Sequence, residues 1–419
     1  MRLLSVEPKL SKIHYGWIVV VVGMLAVTGA VGLARFGYTM ILPSMQDSLR
    51  LNYSQMGLLA TGNFIGYLSF TLVGGLLATK YGPRIIVALS MLLASISLAL
   101  TGMAWSFESA FMLRMLTGIG SGGANVPAMS LSASWFTSSR RGTAAGIMAA
   151  GCGIGLIATG IAVPNILLSF GSLGWRYSWY CLGIAALAIS LLCYILIRNR
   201  PEEKGLSQIG SSTAKPIQSV DEGESESSLR WSLVYRNPAL MHLGLVYFMY
   251  GFTYIVYATF FAAYLVKEVG LTAAGSGLLW TLAGFLSIFS GLIWGGFSDF
   301  AGRKYGLAAV YLVLALSFFT FTDTTNMFWL YLSAILFGVA AWAIPTIMAA
   351  AAGDYVGPRL APAALGFITT TFFGVGQATG PYVAGYVKDM SGSFIPAFML
   401  SGAVAVVGLI LALALRKAS

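Results

Sequence analysis

The sequence predicts an all-α polytopic membrane protein with twelve transmembrane helices in two pseudo-symmetric six-helix bundles. Hydrophobic residues make up 58% of the 419 residues and charged residues only 9%, whereas soluble domains carry about 25% charged residues. A chain this apolar cannot cover a water-facing surface. Apolar runs of about 20 residues recur along it, and each is long enough to cross a bilayer. The runs are continuous rather than alternating, which favours helices over a barrel.

A polar stretch at 199–236 divides the predicted helices into two sets of six. It is rich in charge and serine, as in 221–228 (DEGESESS), and too poor in apolar residues to fold alone. We therefore expect an N-terminal bundle over 1–198, a linker over 199–236 and a C-terminal bundle over 237–419. The predicted helices span 17–45, 54–78, 85–105, 108–135, 141–169, 175–197, 238–266, 273–298, 304–322, 326–353, 361–386 and 394–415.

The basic residues predict the orientation of the chain. With the N-terminus placed in the cytoplasm, eighteen of the 24 lysines and arginines fall in segments on the inner side. This bias places both termini and the linker in the cytoplasm and the protein in the cytoplasmic (inner) membrane. It also explains the net charge of +10, so nucleic acid is not an expected partner.

The sequence offers no motif for catalysis. The three cysteines all lie inside apolar runs, the cysteines and the two histidines do not cluster, and no phosphate-binding lysine loop is present. We therefore expect no cofactor, no metal site and no enzymatic activity.

Two loops carry the same pattern. Residues 75–84 read GLLATKYGPR and residues 295–304 read GGFSDFAGRK, each between the second and third helices of its half. This repeated pattern resembles the signature loop of the major facilitator superfamily, with a threonine where the first copy would carry an aspartate. The resemblance implies that the loops gate the ends of the two halves. The expected gating residues are Gly75, Thr79, Arg84, Gly295, Asp299 and Arg303.

Other segments narrow the resemblance. The opening Tyr15-Gly16-Trp17 is similar to that of bacterial monocarboxylate and oxalate/formate-type carriers, and residues 34–46 resemble the first helix of YbfB/YjiJ-type carriers. Residues 114–120 (RMLTGIG) resemble a second superfamily motif, which is often tied to proton coupling. The resemblance implies a secondary transporter that works by alternating access between its two halves.

Two arginines inside predicted helices indicate the cargo. Arg35 lies roughly 27 Å from the inner end of the first helix, and Arg114 lies roughly 10 Å from the outer end of the fourth. Charges within the membrane are expensive and are functional candidates, and a guanidinium matches a carboxylate with two parallel hydrogen bonds. We therefore predict a site for a small, monocarboxylate-like organic anion. Snorkelling of Arg35 and binding of backbone carbonyls by Arg114 are the alternatives.

Polar and aromatic residues complete the predicted site. Tyr247, Tyr250, Tyr254 and Tyr257 follow a spacing of three, four and three, which places them on one face of the seventh helix. An aromatic packing stripe is the alternative explanation. The predicted substrate-binding residues are Arg35, Tyr38, Asn63, Arg114, Asn125, Tyr247, Tyr250, Tyr254, Tyr257, Trp280, Trp342 and Gln377.

The sequence decides neither whether transport is coupled to protons nor which class of membrane protein this is. No carboxylate lies in the middle of a predicted helix, so proton coupling, exchange and uniport remain possible. We expect a monomer whose partners are the small anionic substrate, the lipid bilayer and, where coupling requires them, protons. An exporter of neutral or amphipathic drug-like compounds is the first alternative, and a non-transporting membrane sensor or scaffold is the second.

Overall fold

The computed structural model describes residues 14–210, 236–323, 326–357 and 360–415. The N-terminal segment, most of the predicted linker, Arg359, Arg416 and Lys417 lie outside the described residues. The part of the chain that is described is almost entirely helical, as predicted.

Twelve long helices, some of them interrupted, follow one another in the described residues. They are α1 (Tyr15–Leu49), α2 (Tyr53–Tyr81), α3 (Pro83–Thr101), α4 (Phe107–Trp135), α5 (Ser138–Ala149 and Gly151–Phe170), α6 (Gly174–Leu196), α7 (Pro238–Lys267), α8 (Ala273–Ala301), α9 (Arg303–Phe321), α10 (Met327–Ala340 and Ala343–Val356), α11 (Ala361–Ile368, Thr369–Phe373 and Gly374–Ser391) and α12 (Ile395–Leu413).

Length and composition identify the chain as a multi-pass membrane protein. Nine runs in the described residues are long and apolar enough to cross a membrane, and one of them, Arg140–Leu196, contains both α6 and most of α5. The helices α4 and α11 are not among the nine, because their many Gly, Ser and Thr residues lower the hydropathy. Even so, α4 has 29 residues, about 43 Å at 1.5 Å per residue. The all-α membrane fold is thus confirmed, and the helix order is consistent with twelve spans.

The two repeated loops have the same backbone geometry. Gly82 and Gly302 have φ values of +87° and +96° and directly precede α3 and α9. A residue with a Cβ adopts such φ values only at a cost, so glycine is favoured at both turns. In the first loop, Pro83 then starts α3 without losing a helix hydrogen bond. The repeated sequence therefore encodes a repeated turn.

The helices define two ends of the molecule. We call the end where α1, α7 and α11 finish the latch end, and the end with the α2–α3 and α8–α9 loops the linker end. Residues 201–210, predicted as part of a linker without structure, are docked on the N-terminal half at the linker end. Ile209 donates its backbone N–H to Trp135 O at 3.0 Å and accepts from Thr137 N at 3.1 Å. The apolar Leu206 and Ile209 pack against the core, which explains this docking.

Candidate substrate site

Irregular segments interrupt three helices that lie around the boundary between the halves. A π-helical segment, Thr28–Phe36, occupies the middle of α1 and contains Arg35. A second π segment, Thr369–Phe373, lies in α11, and α10 is broken at Ala341 and Trp342. Such segments inside membrane helices often lie at functional sites, because they free backbone groups and redirect side chains.

Side chains satisfy the backbone freed by the break in α10. The Tyr250 hydroxyl donates to the Ala341 carbonyl, and the Trp294 indole donates to Val339 O at 3.0 Å. Ser290 Oγ accepts the Trp342 N–H at 3.1 Å. Because an unpaired backbone group inside a membrane protein is costly, these bonds stabilise the broken shape and fix the position of Trp342.

Arg35 points into the boundary between the two halves. Its Cζ atom lies 4.3 Å from the ring centre of Phe64 and 4.4 Å from that of Tyr67, as in cation–π contacts. The Tyr254 hydroxyl of α7 interacts with the same guanidinium from the other half. Nε and Nη2 of Arg35 are buried without a hydrogen-bond partner in the described residues. These two nitrogens form one edge of the guanidinium, and their N–H groups point in the same direction.

Arg114 lies beside Arg35 but is held differently. It is only 1% exposed, and its Nη1 donates to Ala34 O in the π segment of α1 at 2.6 Å. Its Cζ lies 4.9 Å from the ring centre of Tyr38 and 5.3 Å from that of Trp179. The side chain therefore joins α4 to α1 through a backbone carbonyl, as the alternative explanation anticipated. The structure thus brings both arginines to the same part of α1.

The three predicted amides all lie near this pair. Asn63 Nδ2 donates to Arg114 O at 3.1 Å, and Asn125 Nδ2 donates to the Tyr67 hydroxyl at 2.9 Å. Gln377 donates to the Tyr254 hydroxyl. Asn125 and Gln377 therefore each contact a tyrosine that in turn contacts the Arg35 guanidinium. Asn125 does so from the N-terminal half, through Tyr67, and Gln377 from the C-terminal half, through Tyr254.

Three of the four predicted tyrosines form one aromatic stack. Tyr247, Tyr250 and Tyr254 are nearly parallel, and Phe373 of α11 stacks on them with ring centres 4.4 to 6.0 Å away. Tyr257 does not join them. Its hydroxyl lies 2.9 Å from Ser333 Oγ, and its ring packs against phenylalanines in the core of the C-terminal half. The stack reaches the Arg35 guanidinium through Tyr254, whereas Tyr257 lies in the core of the C-terminal half.

The remaining predicted residues lie in α1 or beside it. Tyr38 donates its hydroxyl to Met56 O at 2.8 Å and is buried. Phe36 lies between Trp342 and Trp280, at ring-centre distances of 5.5 and 6.4 Å. The indole nitrogens of both tryptophans are buried without a partner in the described residues. Like Arg35, these groups are donors, so the site has an excess of hydrogen-bond donors over acceptors.

A small cavity connects these elements. Its volume is about 10 Å³, and its walls come from α1, α2, α4 and α7, including both arginines. Such a space holds about one water. A substrate therefore requires the two halves to separate around Arg35.

Sequence reasoning missed four residues that shape the site, namely Phe36, Phe64, Tyr67 and Phe373. All four are aromatic residues in apolar runs, where phenylalanine and tyrosine are common. Tyr67 alone carries a signal, because it lies four residues after Asn63 on α2 and therefore on the same helix face.

The predicted gating residues lie at the linker end. Arg303 forms ion pairs with Asp299 and with Asp354 Oδ2, the latter at 2.9 Å. In the first loop, Arg84 Nε donates instead to Tyr194 O at 2.8 Å, and Thr79 bonds to Gly75 O of its own helix. Pro83 occupies the position equivalent to Arg303, so the first loop lacks both members of the Asp299–Arg303 pair. A Cβ added to Gly295 would lie 3.4 Å from Cγ2 of Thr346, which is an ordinary van der Waals contact.

Solved structures share this architecture. The nucleoside transporter NupG (D323A mutant) aligns with a TM-score of 0.74 at 16% identity, over 95% of this chain and all of that one. A bacterial homologue of the human lysosomal transporter Spinster aligns with a TM-score of 0.70 at 18% identity, over 96% of both chains. Identity this low shows the fold alone. The described helices, including the interrupted ones, therefore have the fold of these two membrane proteins.

The family follows from the sequence comparison. Residues 27–413 match the family described as "Uncharacterised MFS-type transporter YbfB", so this chain belongs to that family of the major facilitator superfamily. The predicted membership is thereby confirmed, as is the prediction that the protein is a transporter and not an enzyme.

Three relatives are similar over most of their length. A probable sulfoacetate transporter, SauU of Cupriavidus necator, is 27% identical over 89% of this chain and 88% of its own. A hexuronate transporter of Bacillus subtilis is 24% identical over the same shares. A putative tartrate transporter of Agrobacterium vitis is 24% identical over 89% of this chain and 87% of its own.

Proposed function

We propose that this protein is a secondary transporter that moves a small organic anion across the membrane by alternating access, with Arg35 binding the carboxylate. The observation that carries the proposal is the unpartnered Nε–Nη2 edge of Arg35. A carboxylate binds such an edge through two parallel, charge-assisted hydrogen bonds. The edge lies where α1 and α2 of one half meet α7 of the other, so a bound anion would contact both halves.

The relatives support an anionic cargo. Their names specify sulfoacetate, hexuronate and tartrate, all of which are organic acids that are ionised near neutral pH. Each has at least one oxyanion group that fits a guanidinium edge.

We further propose that the substrate binds through a single carboxylate group. Arg114 donates Nη1 to Ala34 O and is covered by Tyr38 and Trp179, whereas Arg35 has two neighbouring, buried N–H groups without a partner in the described residues. One free edge matches one carboxylate. The Trp342 indole and the Asn125 and Gln377 amides would then bind polar groups on the remainder of the substrate, and the tyrosine stack with Phe373 would pack against it.

The remaining predictions complete the proposal. We place the linker end and both termini in the cytoplasm, the protein in the inner membrane, and the functional unit as a monomer. The loops with Thr79 and Asp299 would approach each other across the halves when the linker end closes, which gives Gly75, Thr79, Arg84, Gly295, Asp299 and Arg303 a role in gating.

A drug-like cargo is the second candidate. The aromatic stack, with rings almost parallel at 7° to 16°, would suit a flat, neutral or amphipathic solute. Such a cargo would not need the charge of Arg35, and this difference separates the two candidates experimentally.

The test is a thermal-shift screen of the purified protein. The panel contains the sodium salts of lactate, sulfoacetate, tartrate and galacturonate, with glucose and tetraphenylphosphonium chloride as neutral and cationic comparisons. A ligand that binds the folded state stabilises it, by about 2.7 kcal/mol at one hundred times its Kd. We expect at least one anion to raise the melting temperature. The shift should vanish in Arg35→Gln and return in part in Arg35→Lys.

The matched control is Arg50→Gln, the same chemical change at an exposed arginine after α1. This variant should retain the full shift. Stabilisation by tetraphenylphosphonium alone, unchanged in Arg35→Gln, would contradict anion transport and favour the drug-like cargo.

A further inference from the structure

The middle of the molecule carries positive charge without a matching negative charge. Arg35 and Arg114 lie side by side, and three of their nitrogens are buried without partners: Nε and Nη2 of Arg35 and Nε of Arg114. In the described residues the two side chains donate hydrogen bonds only to neutral groups, namely a backbone carbonyl and a tyrosine hydroxyl.

The carboxylates lie elsewhere. In the described residues each aspartate and glutamate lies within three residues of a helix end or between helices. They are Asp47, Glu108, Glu202, Glu203, Glu268, Asp299, Asp323, Asp354 and Asp389. The remaining five carboxylates of the chain belong to the segment before α1 and to residues 211–235. No carboxylate of the described helices therefore neutralises the arginines.

The histidines are equally remote. His14 caps the start of α1, and His242 lies in the second turn of α7, where its Nε2 is 3.0 Å from Leu411 O. The described part of the central site thus offers tyrosines, amides, two arginines and Cys152, which lies near Tyr254. The ordinary pKa values of tyrosine, cysteine and arginine all lie above neutral pH. The described residues of this site therefore provide no proton-binding group that could replace a bound anion as counter-charge.

This imbalance of charge raises the barrier to reorientation of the carrier when no substrate is bound. Reorientation passes through a state in which both ends are closed and water has left the site. In that state the Arg35 edge loses its hydration, and the buried charge has no partner, which is costly. A bound carboxylate supplies both the acceptors and the counter-charge. The barrier to reorientation is therefore high for the empty carrier and low for the loaded one.

We propose that the protein is an anion exchanger, whose halves reorient rapidly only with an anion on Arg35. The inference rests on the proposed function, because it requires an anion at that site. Each outward movement of one anion is then coupled to the inward movement of another, without a proton or a second cation in the cycle.

The experiment uses the full-length protein in liposomes and the same four anions, each radiolabelled. One set of vesicles contains 10-fold excess unlabelled anion, a second set is empty, and a third is empty with an acidic exterior. Valinomycin and potassium clamp the membrane potential in every set. We expect uptake into anion-loaded vesicles to be at least tenfold faster than into either empty set. Equally fast uptake into empty vesicles, with or without the pH gradient, would overturn the exchange mechanism.

The two proposals fail in distinguishable ways. If no anion stabilises the purified protein or enters any vesicle, the anion-transport proposal is wrong and the exchange mechanism is wrong with it. If an anion binds in an Arg35-dependent manner and enters empty vesicles freely, the function stands and exchange alone is wrong.

A designed carboxylate sharpens the test. Asn125→Asp keeps the shape of the side chain and adds the missing counter-charge. Its carboxylate would accept a hydrogen bond from the hydroxyl of Tyr67, whose ring contacts Arg35, in place of the bond that the Asn125 amide donates to that hydroxyl. The empty carrier should then reorient more easily, so the ratio of uptake into empty vesicles to uptake into loaded vesicles should rise several-fold. Gln377→Glu places the same charge on the other half through Tyr254 and serves as a second variant if the first is unstable.

Asn326→Asp is the matched control, because Asn326 is an exposed N-cap of α10 and aspartate caps a helix equally well. It should leave the ratio unchanged. An unchanged ratio in both Asn125→Asp and Gln377→Glu, with anion binding weakened as expected for added negative charge, would show that the uncompensated arginine does not set the barrier.

Discussion

The latch end and the linker end use charged residues in different ways. At the latch end, contacts cross between the halves: Lys267 of α7 pairs with Asp47 of α1 at 2.5 Å. Asp389 of α11 accepts the backbone N–H groups of Tyr53 and Ser54, at 2.9 and 2.8 Å, at the start of α2. At the linker end, the ion pairs found among the described residues stay within one half, as in the pairs of Arg303 with Asp299 and Asp354.

Backbone packing differs in the same way. At the latch end, a Cβ added to Gly57 of α2 would collide with the carbonyl of Pro381 in α11, and one added to Gly277 of α8 would collide with that of Gly160 in α5. At the linker end, Gly75 of α2 has open space around its added Cβ. Along the same helix, Gly57 at the latch end thus touches the other half closely, whereas Gly75 at the linker end does not.

The comparison indicates that the structure is closed at the latch end. Contacts there hold the two halves together, whereas the ion pairs of Arg303 at the linker end lie within the C-terminal half. In a rocking transporter, weakening the closed end favours the alternative conformation. Substitutions at the latch end should therefore shift the conformational equilibrium, whereas the same chemical change at the linker end should leave it unchanged.

The largest expected effect comes from Gly57→Val. The added side chain has no room beside Pro381, and overpacking costs about 1–3 kcal/mol, which would shift the equilibrium by roughly 5- to 150-fold. The readout is the distance between spin labels at Lys80→Cys and Gly366→Cys, at the linker ends of α2 and α11, in a background without native cysteines. We expect this distance to shorten as the latch end opens. Gly75→Val, in the same helix, should leave it unchanged.

The next effect is that of Asp389→Asn. The carboxylate caps α2 across the boundary and also accepts from Ser54 Oγ at 2.5 Å. Removing its charge weakens hydrogen bonds to a helix N-terminus, by about 0.5–2 kcal/mol. The same label distance should shorten, by less than in Gly57→Val. A distance distribution identical to that of the parent protein would show that Asp389 does not hold the halves together.

Much of the fold could be predicted from the sequence, because membrane burial requires long apolar runs and penalises every charge within them. For the same reason the sequence pointed to Arg35 and Arg114, and the helical spacing pointed to Tyr247, Tyr250 and Tyr254. The structure places these residues together. Their roles in binding stay predictions.

The unpredicted features depend on contacts between distant segments. Asp389 reads as an ordinary polar residue at a helix end until α2 is placed beside it. The break in α10 is stabilised by Tyr250 and Trp294 from other helices, so the local sequence of Ala341 and Trp342 does not reveal it. Tyr257 fits the helical spacing of its neighbours but turns into the core, because phenylalanines of three other helices surround its ring.

The exposed pair of Asp47 and Lys267 should contribute less than Asp389. Its side chains are 66% and 26% exposed, and exposed ion pairs are worth about 0.2–1 kcal/mol. Asp47→Lys should shorten the linker-end distance slightly, and the exchanged pair Asp47→Lys with Lys267→Asp should restore it. The effect of the single variant should also shrink at high salt. Failure of the exchanged pair to restore the distance would argue against a direct pairing.

The smallest expected effect on conformation is that of Asp299→Asn, which is the same chemical change as Asp389→Asn at the opposite end. Asp299 pairs with Arg303 four residues later, within the C-terminal half, and Arg303 retains Asp354 when Asp299 is neutral. A pair of this kind contributes about 0.3–0.5 kcal/mol, so the melting temperature should fall slightly. The linker-end distance should not shorten, because the pair does not join the halves in this structure. A shortening as large as that of Asp389→Asn would mean that the Asp299–Arg303 pair also influences how the two halves are arranged. The proposed division of roles between the two ends would then be wrong.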